Sequence, residues 1–391
     1  MTDTFEDALP RIREVLSRIA VHEADRDLRG EHPDAGVRDL ADAGFGRLRV
    51  PREFGGFDVD LPTLFSLLAE AGEADSNIPQ IWRGHFTATE ILRRETDETA
   101  RNHWLSRIGE GAVFGNAQSE SADRVKQTRI HTNPAGTVVV NGTKFYSTGA
   151  RFADYIRVAA VDGTRTTTFV VVDAHHSGVK HLNDWDGIGQ RLTGSGSTVF
   201  TGVPVLPHGT LARERAAVRG LDSFVQVVHL ANLAGIARAI VRDTVEIVRG
   251  RTRTSRHSFT DGSATADPDV LAVIGTLEAR SLTASALLET VAAALQDAHA
   301  ADTEQAFAGA YVTTSAAQVA VIEAVLDAAT TAFNAGGSSA TRARAHLDRH
   351  WRNARTLASH NPVVYKPRVV GDHLVNHRNP ENLHYEGRAA S

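Results

Sequence analysis

The spacing of apolar side chains changes twice along the chain, and this double change restricts the fold more than any other feature. From Phe5 to Glu110, apolar residues recur every three or four positions, as in RIREVLSRIAVHEADRD, which predicts amphipathic helices. From Val113 to Leu206 the repeat becomes two in short runs such as TTTFVVVD, which predicts β-strands. From Leu211 to Arg355 the helical spacing returns in long, Ala-rich segments. The sequence therefore predicts a helical domain, a β domain and a second helical domain, in that order.

Length and charge exclude several classes of protein. A chain of 391 residues is too long for one small core, so two or three packed units are expected. The net charge is −5, whereas a nucleic-acid-binding face would be basic, so no nucleic-acid partner is predicted. No apolar run approaches the roughly 20 residues that span a bilayer. The acidic, amphipathic start MTDTFEDALPRIREVL is not typical of a secretory signal. We therefore expect a cytoplasmic protein with no membrane partner.

Sulfur is nearly absent from the side chains. The chain has no cysteine, and Met1 is its single methionine, so disulfides, thiolate metal sites and thiol catalysis are excluded. Compositional drift explains missing cysteine better than missing methionine, because methionine is a useful gap-filler in cores. Protection from oxidants made at the active site is a second explanation, since both side chains oxidise easily. Economy of sulfur is a third, and these last two indicate oxidative or sulfur-related work.

The segment from Asn141 to Asp162, NGTKFYSTGARFADYIRVAAVD, reads as a strand, a tight turn and a strand. Its centre, Phe145-Tyr146-Ser147-Thr148-Gly149, places hydroxyls and aromatic rings where a hairpin requires none. Ser147 and Thr148 are either ordinary turn residues or part of a binding site.

Four segments resemble the acyl-CoA dehydrogenase superfamily, and together they span nearly the whole chain in that family's order. They are Leu40–Gly56 (LADAGFGRLRVPREFGG), Asn141–Asp162, Gly189–Val205 (GQRLTGSGSTVFTGVPV) and Trp351–Arg355 (WRNAR). The resemblance implies an α+β fold with an N-terminal helical domain (1–112), a central β domain (113–208) and a C-terminal four-helix bundle with a tail (209–391). It also implies that the Asn141–Asp162 hairpin lies against a flavin ring.

A dehydrogenase of this family needs a glutamate that removes a proton from an acyl thioester. The family places that glutamate in a helix matching Leu221–Ile240 or just after Arg355. The first stretch contains no Glu, and its one acid, Asp222, lies at the helix start; the stretch from Thr356 to Lys366 has no acid. Glu386, in HYEG, falls too close to the chain end and is interpreted as a tail residue. The FAD acyl-CoA dehydrogenase activity is therefore disfavoured.

Other segments resemble the flavin-dependent monooxygenase branch of the superfamily, which includes the dibenzothiophene, sulfone and sulfinate monooxygenases. The segments are IWRGHF (81–86), KFYSTGARFADYI (144–156) and RTLASHNPVVYKPRVVGDHLVN (355–376). The resemblance implies reduced FMN, with FAD as the alternative flavin, supplied by a separate NAD(P)H flavin reductase, and oxygen held as a C4a-hydroperoxyflavin. His85, Ser147 and His360 match the family's peroxide-side group: the histidines would position and protonate the peroxide, and Ser147 would bond the flavin edge.

The same resemblance implies a set of cofactor-binding residues. Asn116, Gln118 and Ser119 match a strand end that meets the pyrimidine edge of the flavin, and Trp185 matches an aromatic residue beside the ring. Arg256 matches an arginine that reaches the phosphate of a neighbouring subunit's flavin, although Arg251 and Arg253 are close enough to leave the register open. The full predicted set is Asn116, Gln118, Ser119, Phe145, Ser147, Thr148, Trp185 and Arg256. No GxGxxG follows a strand, so no nicotinamide site is predicted.

The substrate is left open among small molecules. Leu357 and Thr89 stand where the dibenzothiophene monooxygenases have His and Tyr, which predicts a smaller pocket. A two-component monooxygenase of a small organosulfur compound is the first expectation, and an N-hydroxylase of an amine or amino sugar is the alternative. A non-enzymatic flavin-binding role follows if the placement of these residues is coincidental. A homotetramer is also expected, since Ala-rich helices approach closely.

Four further histidines have less specific signals. His346 and His350 have a spacing that metal sites use, but without a third ligand they are interpreted as surface or subunit contacts, and no metal is predicted. His229 and His373 are equally consistent with a structural and a functional role.

Overall fold

The computed structural model describes residues 3–120, 128–164, 166–211, 218–251, 258 and 263–380. Within these residues, helices come first, strands second and helices again last, which confirms the predicted acyl-CoA dehydrogenase-like α+β fold.

The N-terminal helices begin where the sequence offers capping groups. Thr4 and Asp7 form a capping box at the start of α1, and the carboxylates of Asp60 and Asp97 accept N–H donors at the starts of α4 and α6. The helices are α1 (Phe5–Val21), α2 (Glu23–Arg29), α3 (Asp34–Asp42), α4 (Leu61–Ala74), α5 (Asn77–Leu92) and α6 (Glu98–Gly109). Helix α5 is buried along nearly its whole length, so it can carry functional groups into the interior.

The strands form one sheet in the order β6-β7-β3-β2-β4-β5-β8, and β1 pairs with β4 in parallel. The strands are β1 (Phe114–Ala117), β2 (Arg129–Thr132), β3 (Val138–Lys144), β4 (Tyr155–Val161), β5 (Thr167–Asp173), β6 (Val179–His181), β7 (Thr198–Pro204) and β8 (Thr210–Leu211). The parallel β1–β4 pair brings Asn116 beside Arg157, and both face the cavity described below.

The hairpin predicted between Asn141 and Asp162 is wrong, because β3 and β4 are not neighbours in the sheet. The backbone N–H groups of Ser147 and Gly149 donate instead to the carbonyls of Gly196 and Thr193, in the loop before β7. Gly149 has φ +80°, and a Cβ there would lie 2.4 Å from the carbonyl oxygen of Ile81 in α5. The connection between β3 and β4 is therefore fitted to α5 and to a second loop.

The C-terminal helices are α7 (Leu221–Arg249), α8 (Pro268–Ala301), α9 (Glu304–Gly336), α10 (Asp348–Ala358) and α11 (Lys366–Asn376). Helices α7, α8 and α9 pack against one another, and α7 also packs against α4 and α5. The main core runs through this contact, so the two helical parts share one hydrophobic interior.

Buried ion pairs and hydrogen bonds fix α10 and the preceding His346 against the N-terminal helices and α7. The carboxylate of Asp27 bonds His346 at 2.6 Å and Arg352 at 2.7 Å, and that of Asp243 bonds His350 at 2.8 Å and also Arg349. These pairs correct the interpretation of His346 and His350 as surface contacts, because both rings are buried against carboxylates. His346 and His350 are also not one turn apart on a single helix, because α10 begins at Asp348, after His346.

Three segments are long and apolar enough to cross a membrane by length and composition alone: α7, α8 and Glu304–Thr341. The expectation that no apolar segment is long enough to span a bilayer was therefore too strong. The most apolar window of α7 is 89% buried inside the protein, whereas that of α8 is only 22% buried. Leu271 and Leu282 of α8 are 52% and 65% exposed.

Candidate active site

A cavity of about 670 Å³ opens where α5, the sheet, α7 and the end of α10 meet. Pockets of this size accommodate a cofactor together with a small ligand. Of the residues predicted for the site, Asn116, Gln118, Ser119, Thr148, Trp185 and His360 line it.

The sheet side of the cavity, which we call the sheet wall, carries neutral hydrogen-bonding groups. The β1 ladder ends at Ala117, one residue after Asn116, and Gln118 and Ser119 follow it. The hydroxyl of Thr148 lies 2.8 Å from that of Ser195 and belongs to the same buried hydroxyl chain as Thr193. Amides and hydroxyls both donate and accept, which suits the polar edge of a heterocycle.

Ser147 and Phe145 stand just behind the sheet wall. Ser147 is fully buried, and its Oγ has no hydrogen-bond partner within the described residues. The backbone N–H of Phe145 donates to the carbonyl of Ser119 at 2.9 Å, which joins the turn to the strand end. An unpartnered buried hydroxyl costs about 1–3 kcal/mol, so the site is built to receive a further polar group.

Two aromatic side chains border the opening. The Trp185 indole N–H donates to the carbonyl of Gln190 at 3.1 Å, and its ring lies 5.9 Å from that of Tyr146 in an edge-on arrangement. Tyr146 has a φ of +55°, which an aromatic residue rarely adopts. Tyr146 was not among the cofactor-binding residues predicted from the sequence, although its place inside the FYSTG segment was a usable signal.

The structure places His85 away from the cavity, which corrects its predicted place beside the peroxide. Its Nδ1 accepts the backbone N–H of Phe114 at 3.1 Å, and its Nε2 therefore carries the proton that goes to the carbonyl of Gly46 at 2.8 Å. Complete burial lowers the pKa of His85 to about 4. His85 follows Arg83 by two residues, which is ~200° around an α-helix, and Arg83 faces the cavity. His85 thus joins α5 to β1 and to the Gly46 loop.

His360 lines the cavity, directly after α10, and is the predicted histidine that the structure brings to the site. Its ring packs against that of His229 from α7, with centroids 4.3 Å apart and planes inclined by 42°. His229 is 4% exposed, and neither of its ring nitrogens has a hydrogen-bond partner among the described residues. Burial, the neighbouring His360 and Arg83 lower the pKa of His229 well below its usual value, so its ring is neutral.

Charge on the cavity wall is of one sign. Within the described residues, the lining contains Arg83, Arg157 and Arg355 and no Asp or Glu. The guanidinium of Arg157 lies 3.6 Å from the ring centroid of Phe169, which also lines the cavity. The proton-abstracting glutamate of a dehydrogenase is therefore missing from this lining.

The remaining predicted residues lie elsewhere. Arg256 and the alternative Arg253 fall outside the described residues, as does Glu386. Arg251 is described, and its guanidinium donates to the backbone carbonyl of Ala335. His373 is at a partly exposed position of α11, where its Nδ1 lies 2.8 Å from the carbonyl of Arg378.

The sequence analysis missed the residues of α5 and α7 that complete the cavity, notably Gln80, Arg83, Thr87 and Gln226. Gln80, Arg83 and Thr87 share one helix face by their three- and four-residue spacing. Arg83 and Glu90 are the charged residues of Asn77–Leu92, and a cation in so apolar a helix was a usable signal.

The donor set fits FMN. The sheet wall offers amide and hydroxyl groups at a strand end, the unpartnered Ser147 Oγ stands behind them, and Trp185 borders the opening. Such an arrangement matches a planar ring with one polar edge.

The comparisons with known proteins agree with this geometry. Family models of the acyl-CoA dehydrogenase N-terminal and C-terminal domains match residues 5–112 and 227–365. The chain belongs to the acyl-CoA dehydrogenase superfamily.

Individual relatives are flavin-dependent monooxygenases. The chain is 29% identical to dibenzothiophene monooxygenase of Rhodococcus erythropolis over 381 residues, 91% of this chain and 90% of the relative. It is 29% identical to the probable FMNH2-dependent monooxygenase SfnC of Pseudomonas putida over 399 residues, 97% of both chains. The structure of methanesulfinate monooxygenase MsuC from Pseudomonas fluorescens superposes with a TM-score of 0.86 at 25% identity, covering 95% of this chain and 97% of the other.

Proposed function

We propose that this protein is a two-component, flavin-dependent monooxygenase that oxygenates a small organosulfur compound with reduced FMN from a separate NAD(P)H reductase. The observation that carries the proposal is the cavity lining, in which the described residues present His360 and neutral hydrogen-bonding groups and no carboxylate. Relatives that act on dibenzothiophene and methanesulfinate support the organosulfur class, and the FMNH2-dependent relative supports FMN.

In this function FMNH2 supplies two electrons, so that one atom of O2 is added to sulfur, the other leaves as water with two protons, and FMN is released. The protein's contribution is binding and proton placement. Asn116, Gln118, Ser119 and Thr148 would hold the polar edge of the flavin, and Trp185 would border its ring. Ser147 and Phe145 would position the turn that carries Thr148. Arg256, which lies outside the described residues, is proposed from the sequence alone as a ligand of a flavin phosphate in the neighbouring subunit.

His360 is the proton-handling residue of this proposal. A neutral imidazole carries one N–H donor and one acceptor, so it can hold a proton beside the oxygen that leaves as water. Apolar side chains of the same lining, Ile91, Val225 and Leu357, lower the polarity of the cavity, while His360 itself is exposed in the single chain. His85 supports the cavity from behind α5 and takes no direct part.

The proposed function is tested by mixing the protein with photoreduced FMN under argon and then adding oxygen. We expect FMN to return to its oxidised form much more slowly than in free solution, and expect little hydrogen peroxide. With alkyl sulfides, sulfones and sulfinates as candidate substrates, one of them should yield an oxygenated product. Immediate reoxidation with peroxide in full yield would contradict the proposal. Purification with tight FAD that an acyl-CoA bleaches would support the dehydrogenase instead.

We also propose that the protein is a cytoplasmic homotetramer. The exposed leucines of α8 form an apolar face on a helix whose most apolar window is only 22% buried, and a second copy of the chain would cover it. Leu282→Glu should shift the mass measured by light scattering to a smaller species. The control variant is Val21→Glu, at an exposed site in the N-terminal part. Leu16→Glu would not serve as a control, because Leu16 is buried. An unchanged mass for Leu282→Glu would contradict this assembly.

A further inference from the structure

Four side chains at the helical side of the cavity form a group that we call the donor cluster: Arg83, Gln226, His229 and His360. Arg83, Gln226 and His360 line the cavity. His229 lies one helical turn beyond Gln226 on α7 and packs against His360 at 4.3 Å. Helices α5 and α7, which carry Arg83 and Gln226, pack against each other. The four groups therefore lie together on the helical side of the cavity.

His229 points to a ligand because its ring is buried without partners. Both ring nitrogens lack hydrogen bonds among the described residues, although the side chain is almost completely sealed from water. Leaving a buried polar atom without a hydrogen bond is unfavourable, and both ring nitrogens of His229 are in this state among the described residues. A polar group that enters the cavity beside His360, directly or through a water molecule, would satisfy them.

The amide oxygen of Gln226 is already engaged in a buried hydrogen bond. Its Oε1 accepts a hydrogen bond of 2.7 Å from the Nε2 of Gln318, on α9, and both side chains are buried. With one lone pair of this oxygen occupied, the two N–H groups are the larger part of the hydrogen-bonding capacity that Gln226 retains in the cavity that it lines. Gln226 is therefore better suited to a hydrogen-bond acceptor than to a donor.

The charge of the donor cluster selects the same kind of ligand. Arg83 is cationic at any working pH, and the cavity lining contains no carboxylate among the described residues. A protonated amine would meet a like charge and N–H donors with no acceptor of opposite charge. An oxyanion would meet one cation and several N–H donors, which shorten and strengthen their bonds to charged oxygen.

We propose that the donor cluster binds the head group of an anionic substrate, an organosulfur oxyanion of the sulfinate or sulfonate type, while its carbon part extends along the apolar lining. This inference rests on the proposed function, because it names the substrate class of the same cavity. It separates this chain from oxygenases of neutral thiophenes and from N-hydroxylases of amines.

The test is a binding experiment on the full-length protein loaded with oxidised FMN, in which no oxygen chemistry occurs. Calorimetric titration uses probe pairs with matched carbon parts: methanesulfonate against dimethyl sulfone, butanesulfonate against butyl methyl sulfone, and benzenesulfonate against methyl phenyl sulfone. We expect at least one sulfonate to bind about tenfold or more tightly than its neutral partner, a difference of ~1.4 kcal/mol.

Arg83→Gln should remove most of that preference, weakening the sulfonate about tenfold and the sulfone less than threefold. Arg29→Gln makes the same change of charge on an exposed ion pair with Glu31 and should leave both affinities unchanged. His229→Phe, which keeps a ring against His360 without polar atoms, should weaken the sulfonate about fivefold, whereas His229→Asn should retain part of the binding. Circular dichroism and FMN affinity show whether each variant is folded and loaded.

Three results would overturn the inference. One is that no sulfonate is preferred over its matched sulfone. Another is that Arg83→Gln weakens both members of a pair equally. The third is that Arg83→Gln abolishes FMN binding, which would make Arg83 a ligand of the flavin phosphate. Failure of the proposed function is a separate result: sulfonates would bind selectively, yet reduced FMN and oxygen would give only peroxide.

Discussion

The two sides of the cavity differ in chemistry. The sheet wall, formed by Asn116, Gln118, Ser119 and Thr148, presents neutral groups that can both donate and accept, and the guanidinium of Arg157 on β4 lies beside them over the ring of Phe169. The donor cluster on the helical side presents a guanidinium, two imidazoles and an amide whose oxygen is engaged with Gln318. Amides and hydroxyls suit the polar edge of a heterocycle, whereas a cluster rich in N–H donors suits an anion. We therefore propose that cofactor and substrate are held by separate parts of the fold.

The largest expected effect comes from removing the proton-handling imidazole. His360→Ala should lower the yield of oxygenated product per FMNH2 about a thousandfold, within the range of a lost general acid, and should raise peroxide release. FMN affinity should stay the same, because the sheet wall is unaltered. Product and peroxide are measured together after one turnover. His373→Ala, at a partly exposed position of α11 that is not in the cavity lining, is the matched control. A His360→Ala yield within threefold of the parent would remove His360 from the mechanism.

The second expected effect is a loss of stability at acidic pH that arises from His85. The folded pKa of His85 is about 4, below its usual 6.5, so its contribution to stability is complete above pH 6.5 and is lost as the pH falls toward 4. At about 1.4 kcal/mol per pKa unit, the loss is on the order of 3 kcal/mol. His85→Gln, which retains an N–H donor, should weaken this acid dependence of the urea midpoint.

The yield of oxygenated product per folded molecule shows whether His85 takes part in the chemistry of the cavity. His85→Gln should leave that yield within about twofold, unlike His360→Ala. A large loss of yield without a loss of stability would return His85 to the site. His373→Gln, at a partly exposed position of α11, serves as the control for the pH dependence.

A smaller effect is expected on the sheet wall. Thr148→Val keeps the side-chain shape and removes the hydroxyl that lies 2.8 Å from that of Ser195. The loss of one such hydrogen-bonding group should weaken FMN about tenfold, since a neutral bond contributes about 1 kcal/mol and an orphaned partner adds to the cost. Thr276→Val, an exposed hydroxyl bonded within its own helix, is the control. Fluorescence titration of FMN measures the change, and weaker binding of sulfonates instead would contradict the division of the walls.

The smallest effect is expected at the rim. Trp185→Phe removes the N–H donor to Gln190 but keeps an aromatic ring beside Tyr146. FMN affinity should fall about threefold. Trp351→Phe, at a partly exposed position of α10, is the comparison. A loss of FMN as large as that of Thr148→Val would mean that the ring carries more of the cofactor than the rim position suggests.

The fold was predictable because periodicity and glycine placement are local signals, and family words such as GQRLTGSGSTVFTGVPV extended them over the chain. The site was predictable where one residue type sufficed: Asn116, Thr148 and His360 were named, and the structure brings them to one cavity. His85 illustrates the limit. His85 was predicted for the site from its match to a family position, although it lies on the opposite side of α5 from Arg83. Its two backbone partners, Gly46 and Phe114, lie far away in sequence.

The donor cluster was not predictable for a different reason. The amide oxygen of Gln226 is engaged only because Gln318, 92 positions further along, donates to it. The His229–His360 contact joins α7 to the end of α10, and its significance depends on burial that no short window contains. The hairpin was mispredicted similarly, since the carbonyls that capture Ser147 and Gly149 come from a distant loop.

The seating of α10 has a consequence for how this enzyme can acquire new substrates. Four directional contacts to the carboxylates of Asp27 and Asp243 would all break if α10 slid or rotated by one residue. The backbone that delivers His360 is therefore locked in register, and gradual helix movement is not an available route to a wider pocket. New specificities should arise by exchange of single side chains at Arg83, Gln226 or Leu357, on a scaffold that keeps the oxygen chemistry constant.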